Sequence, residues 1–241
     1  MKNYFSILVL LAFITLPLAA QERVVGLENF ESLKILDMEL PTYPNKMVFQ
    51  GIYDGQATLV ISVDETGSIT DVFQESYTHP IFGRLADESV RKWTFQPAKL
   101  NGEPVPSIKP VNFNFDDRGG VYSVGIHEAA SSSLMFTSSP NSKRVYNLKE
   151  LDELLEPELM VQPYYPEEFR DRGIDGSATV LFYIDEAGST RMAHLEGYTH
   201  SSFGTSAISA VINWKFKAPT VKGKPATIQV RQTFNFTESS K

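Results

Sequence analysis

Residues 74–83 read QESYTHPIFG and residues 195–204 read LEGYTHSSFG, sharing the pattern E-x-Y-T-H-x-x-F-G. Around this pair, Gly55, Asp64, Glu65, Gly67, Trp93, Phe95, Gly102, Pro104 and Phe113-Asn-Phe115 recur in order as Gly176, Asp185, Glu186, Gly188, Trp214, Phe216, Gly223, Pro225 and Phe234-Asn-Phe236. No gap interrupts the series, so the chain is two copies of one design, and this repeat decides the fold. Upstream, Pro41-Thr-Tyr-Pro44 matches Pro163-Tyr-Tyr-Pro166 after a one-residue shift. A leader precedes each copy, ESLKILDMEL in the first and NLKELDELLEPELMV in the second.

Within each copy the periodicity names the elements. Ala57, Leu59, Ile61 and Val63 alternate with Thr58, Val60 and Ser62, and Ala178, Val180, Phe182 and Ile184 do the same, which is a strand with one core face. Asp64-Glu-Thr-Gly67 and Asp185-Glu-Ala-Gly188 supply a hairpin turn, with Gly in the left-handed position. A second strand runs to Tyr77 or Tyr198. Phe82, Leu85, Ala86, Ser89, Val90 and Trp93, with Phe203, Ser206, Ala207, Ala210, Val211 and Trp214, recur at three and four residues, giving one apolar helix face. A last strand ends in Phe-Asn-Phe. The expected class is α+β: two repeated small domains, each a three-stranded antiparallel sheet packed against an amphipathic helix.

Beyond the repeat, residues 1–20 have the layout of a secretory signal peptide: Lys2, an apolar stretch from Phe5 to Leu16, then Pro17 and small residues. From Ser6 to Ala20 a helix would reach about 22 Å, short of the roughly 30 Å of a bilayer core. Cleavage after Ala20 is therefore favoured over anchoring. The expected organisation is a signal at 1–20, a first domain with leader at 21–115, a flexible linker at 116–143 and a second domain with leader at 144–241. The linker reading rests on Gly119-Gly120 and the Ser-rich run from Ala129 to Ser142, although Val121, Tyr122 and Val124 hint at a short strand.

The chain of 241 residues carries a net charge of -7 and no cysteine. The first argues against nucleic acid, which needs clustered cations; the second excludes disulfides, thiolate metal sites and cysteine nucleophiles. Glu75, Tyr77, Thr78 and His79, repeated as Glu196, Tyr198, Thr199 and His200, form the one cluster that suggests acid–base or metal chemistry. A metal needs three or four ligands and each copy offers two, so the favoured reading is a packed strand-to-helix corner. No metal site, cofactor or catalytic residue is assigned, and the protein is expected not to be an enzyme.

P-x-Y-P, G-x-A-T, the D-E-x-G turn, a helix ending W-x-F, the N-G-x-P or K-G-x-P turn and a final aromatic strand together resemble the C-terminal domain of TonB proteins. Tyr43-Pro44, Gly55, Asp64, Gly67, His79-Pro80, Trp93, Phe95, Pro97-Ala98, Asn101-Gly102 and Pro104 carry the resemblance in copy one. Tyr165-Pro166, Gly176, Asp185, Gly188, Trp214, Phe216, Gly223 and Pro225 carry it in copy two. It covers Pro41 to Phe115 and Pro163 to Phe236. It implies a periplasmic protein-binding module that grips an extended peptide, such as a segment of an outer-membrane receptor, by strand addition at a sheet edge. The alternative within the family is an energy transducer of outer-membrane transport, held by an uncleaved N-terminal helix. Phe82-Gly83 and Phe203-Gly204 stand where the family tends to have Leu-Asp, which makes Gly, a weaker cap, the expected start of each helix.

The last strands differ. Copy one reads PVPSIKPVNFNF, with Pro104, Pro106 and Pro110 each lacking a backbone donor, whereas copy two reads PATIQVRQTFNF. The expected partner-strand site is therefore in copy two, at Thr227, Gln229, Val230, Arg231, Thr233 and Asn235, with Gln229, Arg231 and Thr233 facing outward. The competing expectation is that this edge pairs with copy one or with a second molecule as a homodimer.

Overall fold

The structure, a computed structural model, describes residues 30–118, 120–126 and 141–238. The expected signal at 1–20 and the Ser-rich run up to Pro140 lie outside the described residues. Copy one contains strands β1 (Asp54–Val63) and β2 (Ile69–Tyr77), helix α1 (Pro80–Val90) and strand β3 (Ser107–Asp116). Strand β4 (Gly120–Ile126) follows, then the two-residue strand β5 (Val145–Tyr146). Copy two repeats the order with β6 (Gly176–Ile184), β7 (Thr190–Tyr198), α2 (Ser201–Val211) and β8 (Thr227–Phe236).

The α+β repeat stands, and each sheet has one strand more than the three of the repeat. The orders are β2-β1-β3-β4 and β5-β8-β6-β7. One addition comes from the stretch between the copies, so the linker reading of 116–143 needs correction at its start; the other opens the second domain's leader. Gly120–Ile126 pairs antiparallel with β3, from Val111↔Ile126 to Asp116↔Gly120, because the unpaired backbone groups of β3 offer it a ladder. At the far end, Val145 and Tyr146 pair parallel with Thr227 and Ile228.

Each core is what the alternation dictates. Leu59, Ile61 and Val63 of β1, Phe82, Ala86 and Val90 of α1, and Phe113 and Phe115 of β3 close one cluster around Trp93. Val180, Phe182 and Ile184 join Phe203, Ala207, Val211, Ile228 and Phe236 around Trp214 in the other. Phe82 stacks near Phe115 at 4.8 Å between ring centroids, and Phe203 near Phe236 at 4.7 Å. Both Trp side chains also tie down the leaders. The Trp93 indole N–H donates to the Glu39 carbonyl at 3.1 Å and the Trp214 indole to the Val161 carbonyl at 2.7 Å.

Hairpin geometry fixes the register. Gly67 and Gly188 have φ of 87° and 81°, and a Cβ at either would lie 2.3 Å from the Phe95 carbonyl oxygen or 1.9 Å from that of Phe216. The Asp64 Oδ1 accepts from the Thr66 and Ser68 N–H groups, each at 2.9 Å, and Asp185 repeats this with Ala187 and Ser189.

The helix starts differ from expectation. The first helix begins at Pro80 behind His79, whose Nδ1 accepts from the Ile81 N–H at 3.3 Å; α2 begins at Ser201 behind His200. Gly83 lies inside the helix rather than at its cap. A Cβ there would stand 2.6 Å from the Tyr77 ring, so the residue is small to let helix and strand approach.

The copies pack against each other through the sheet faces that point away from their helices. Val60 and Phe73 from copy one meet Tyr183 and Met192 from copy two in a third buried cluster. Arg191 donates to both Asp71 oxygens at 2.8 Å, and Lys143 pairs with Glu186 at 3.2 Å. The layers run helix, sheet, sheet, helix.

Candidate functional site

The shared E-x-Y-T-H corner is built on a β-bulge. In copy one Thr58 opposes Ser76 while Leu59 opposes Gln74, and in copy two Thr179 opposes Gly197 while Val180 opposes Leu195. Glu75 and Glu196 are the extra residues, and a bulge re-aims its side chain. Both carboxyls leave the helix side. Thr78 and Thr199 do backbone work: their Oγ1 atoms accept from the N–H groups of Gln56 and Ser177, each at 3.0 Å. His79 is spent on the helix cap, and His200 packs against Phe169 and Phe203 with centroids 5.1 and 5.9 Å away. Glu and His therefore serve different neighbours in each copy.

The two bulged carboxyls meet different fates. Glu196 accepts from the Arg231 guanidinium of β8, with one contact at 2.8 Å. This hydrogen bond holds its carboxyl below the usual carboxylate range, against a smaller opposing effect of burial. In copy one the register position of Arg231 is taken by Pro110, opposite Val60 as Arg231 is opposite Leu181. Glu75 has no cation there. Its Oε1 instead accepts from the Tyr183 hydroxyl of copy two at 2.9 Å. Burial pushes the Glu75 carboxyl up, the Tyr183 hydrogen bond offsetting part of the effect.

The strand edges differ as sharply. On β3 the side away from β1 is filled by β4 from Val111 to Asp116. On β8 the side away from β6 is met by β5 at Thr227 and Ile228 alone, so among the described residues no strand pairs with that side from Gln229 to Phe236. Thr227 was expected within the partner-strand site; it is 1% exposed and already opposite Val145, which moves the start of the open edge to Gln229. Gln229, Arg231, Thr233 and Asn235 are exposed and Val230 is buried, as the alternation requires. The outward side chains are braced: Gln229 Nε2 donates to the Tyr183 hydroxyl at 3.0 Å, and the Thr233 and Thr179 hydroxyls are 2.9 Å apart.

Sequence reasoning missed β4 as occupant of the β3 edge and Tyr183 as the partner of Glu75. A signal for the first existed in the apolar positions after Gly120. None existed for the second, which depends on how the copies pack.

Two sheet-and-helix units, whose last strand is paired on its outer side in copy one and, among the described residues, largely unpaired there in copy two, define a tandem sheet-edge module of the α+β class. The chain belongs to the family described as the Gram-negative bacterial TonB protein C-terminal, whose model matches residues 39–116 and 161–237. Among solved structures, the solution NMR structure of the Pseudomonas aeruginosa TonB CTD is 28% identical, covering 36% of this chain and 89% of that one, with a TM-score of 0.32. A search of curated proteins finds no match. Family membership supports a TonB-like role in protein interaction. Among the described residues, no helix is long and apolar enough to cross a membrane.

Proposed function

We propose that copy two captures an extended segment of a partner protein by adding it as a strand along Gln229 to Asn235, and that copy one supports it from behind. The carrying observation is the asymmetry of the edges: β4 pairs along β3 from Val111 to Asp116, whereas among the described residues no strand pairs with the outer side of β8 beyond Ile228. Backbone hydrogen bonds supply affinity in such an addition, and alternate side chains supply selectivity. The signal-like N-terminus supports a periplasmic setting for this activity, and an outer-membrane receptor segment is the partner the family suggests.

The test uses two proline substitutions. Adjacent residues of a strand direct their N–H groups to opposite sides, so one of Val230→Pro and Arg231→Pro removes a donor from the open edge and spares the ladder to β6. Thermal stability identifies which one. That variant should lose capture of a receptor-derived peptide, measured by calorimetry, while Lys109→Pro in β3 leaves it unchanged. Undiminished binding in the stable β8 proline variant would sink strand addition.

A further inference from the structure

We propose that Glu75 and Tyr183 form a proton-controlled clamp between the two copies, closed when the Glu75 carboxyl is protonated and loosened when it is ionised. Glu75 is a copy-one residue, raised on its bulge into the face that copy two covers. One oxygen accepts from Tyr183; the other, Oε2, is buried without a hydrogen-bond partner among the described residues. A carboxylate in that position lacks the cation that its counterpart Glu196 has in Arg231. A neutral carboxyl loses far less by the same burial.

The groups around it do not change this balance. From β6 the facing group is the Tyr183 phenol, and from β8 it is uncharged Gln229, which donates to the same phenol oxygen. Arg191 of β7 is engaged by Asp71 of β2 at 2.8 Å, and Lys143 by Glu186 at 3.2 Å. On β2 itself, Tyr77 is held by its backbone to Lys143, and β3 brings Pro110 to the position of the missing cation.

The sign follows from linkage. In the separated state Glu75 loses the burial that raises its carboxyl. Docking raises its pKa, so the docked form binds the extra proton. Docking is at full strength below the separated value and weakens as pH rises toward the docked value, by up to about tenfold in the equilibrium constant per pH unit. Gln229 is also the first residue of the open edge of β8, so the clamp reaches the start of the capture strand. That connection rests on the strand-addition reading; the clamp does not.

The chain contains no cysteine, so Glu88→Cys on α1 and Ser209→Cys on α2, both exposed, provide one dye site on each copy. Energy transfer between the dyes is followed in urea at several values from about pH 5 to about pH 9. The urea concentration that abolishes transfer should fall as pH rises, and Glu75→Gln, which keeps a neutral oxygen for Tyr183, should abolish that fall. Tyr183→Phe removes the hydrogen bond that favours the carboxylate, so its fall should continue to higher pH. A parent protein without the fall, an equal fall in Glu75→Gln, or an unchanged profile in Tyr183→Phe would overturn the clamp. No partner peptide is present, so the result is independent of strand capture.

Discussion

A single backbone position can decide whether a copy folds. At Gly188 the conformation is left-handed and the space for a Cβ is taken by the Phe216 carbonyl. Gly188→Ala should lower stability by about 2 kcal/mol or more, seen as a lower denaturation midpoint with an unchanged slope. The Asp-Glu-x-Gly spacing made this turn legible, because few residues satisfy a tight hairpin. Gly83 was not legible in the same way. Its smallness answers the Tyr77 ring across a strand-to-helix corner, and a neighbour across space leaves no local pattern. Arg231 and Glu196 fall between these cases, since both residues are visible in the sequence but their meeting depends on the bulge. Arg231→Met should return the Glu196 carboxyl to the ordinary range in an NMR titration. The parent's benefit exists above the ordinary pKa and disappears as pH falls through the lowered one; with Arg231 mostly exposed it is worth less than about 1 kcal/mol.

Elements were legible where they carried their own periodicity. Strands β1 and β6, the two helices and the turns between them follow from alternation, three-and-four spacing and glycine placement. The stretch Gly120–Ile126 carried only a hint, because it forms a strand by finding the vacant side of β3. The prolines of copy one gave one reason to favour copy two, and the pairing supplies another. Pro104 and Pro106 precede β3, while Pro110 lies within it and pairs with Val60. What removes the β3 edge from competition between Val111 and Asp116 is β4. Deleting Gly120–Ile126 should expose that edge and raise self-association, measured as mass by light scattering after size exclusion. A deletion variant with the parent's mass would show that β4 does not shield the edge.

At the scale of the whole molecule, a repeat has become an asymmetric pair. Copy one offers Val60, Phe73 and Glu75 to the interface, while copy two offers Tyr183 and Met192, so the two copies use different positions of the same design. Periodicity could not announce this. Val60, Phe73 and Tyr183 look like ordinary outward residues of half-buried strands until the second sheet covers them. Met192→Asp should separate the copies, increasing the radius of gyration in solution scattering while near-ultraviolet dichroism from Trp93 and Trp214 persists. The central claim is that one copy keeps its strand edge open for a partner and the other fills its own. Residue-resolved hydrogen exchange with and without a receptor-derived peptide measures this most directly. Added protection at alternate amides between Gln229 and Asn235, with none added at Val111 to Asp116, is the expected result; protection gained on β3, or none gained on β8 despite binding, would contradict it.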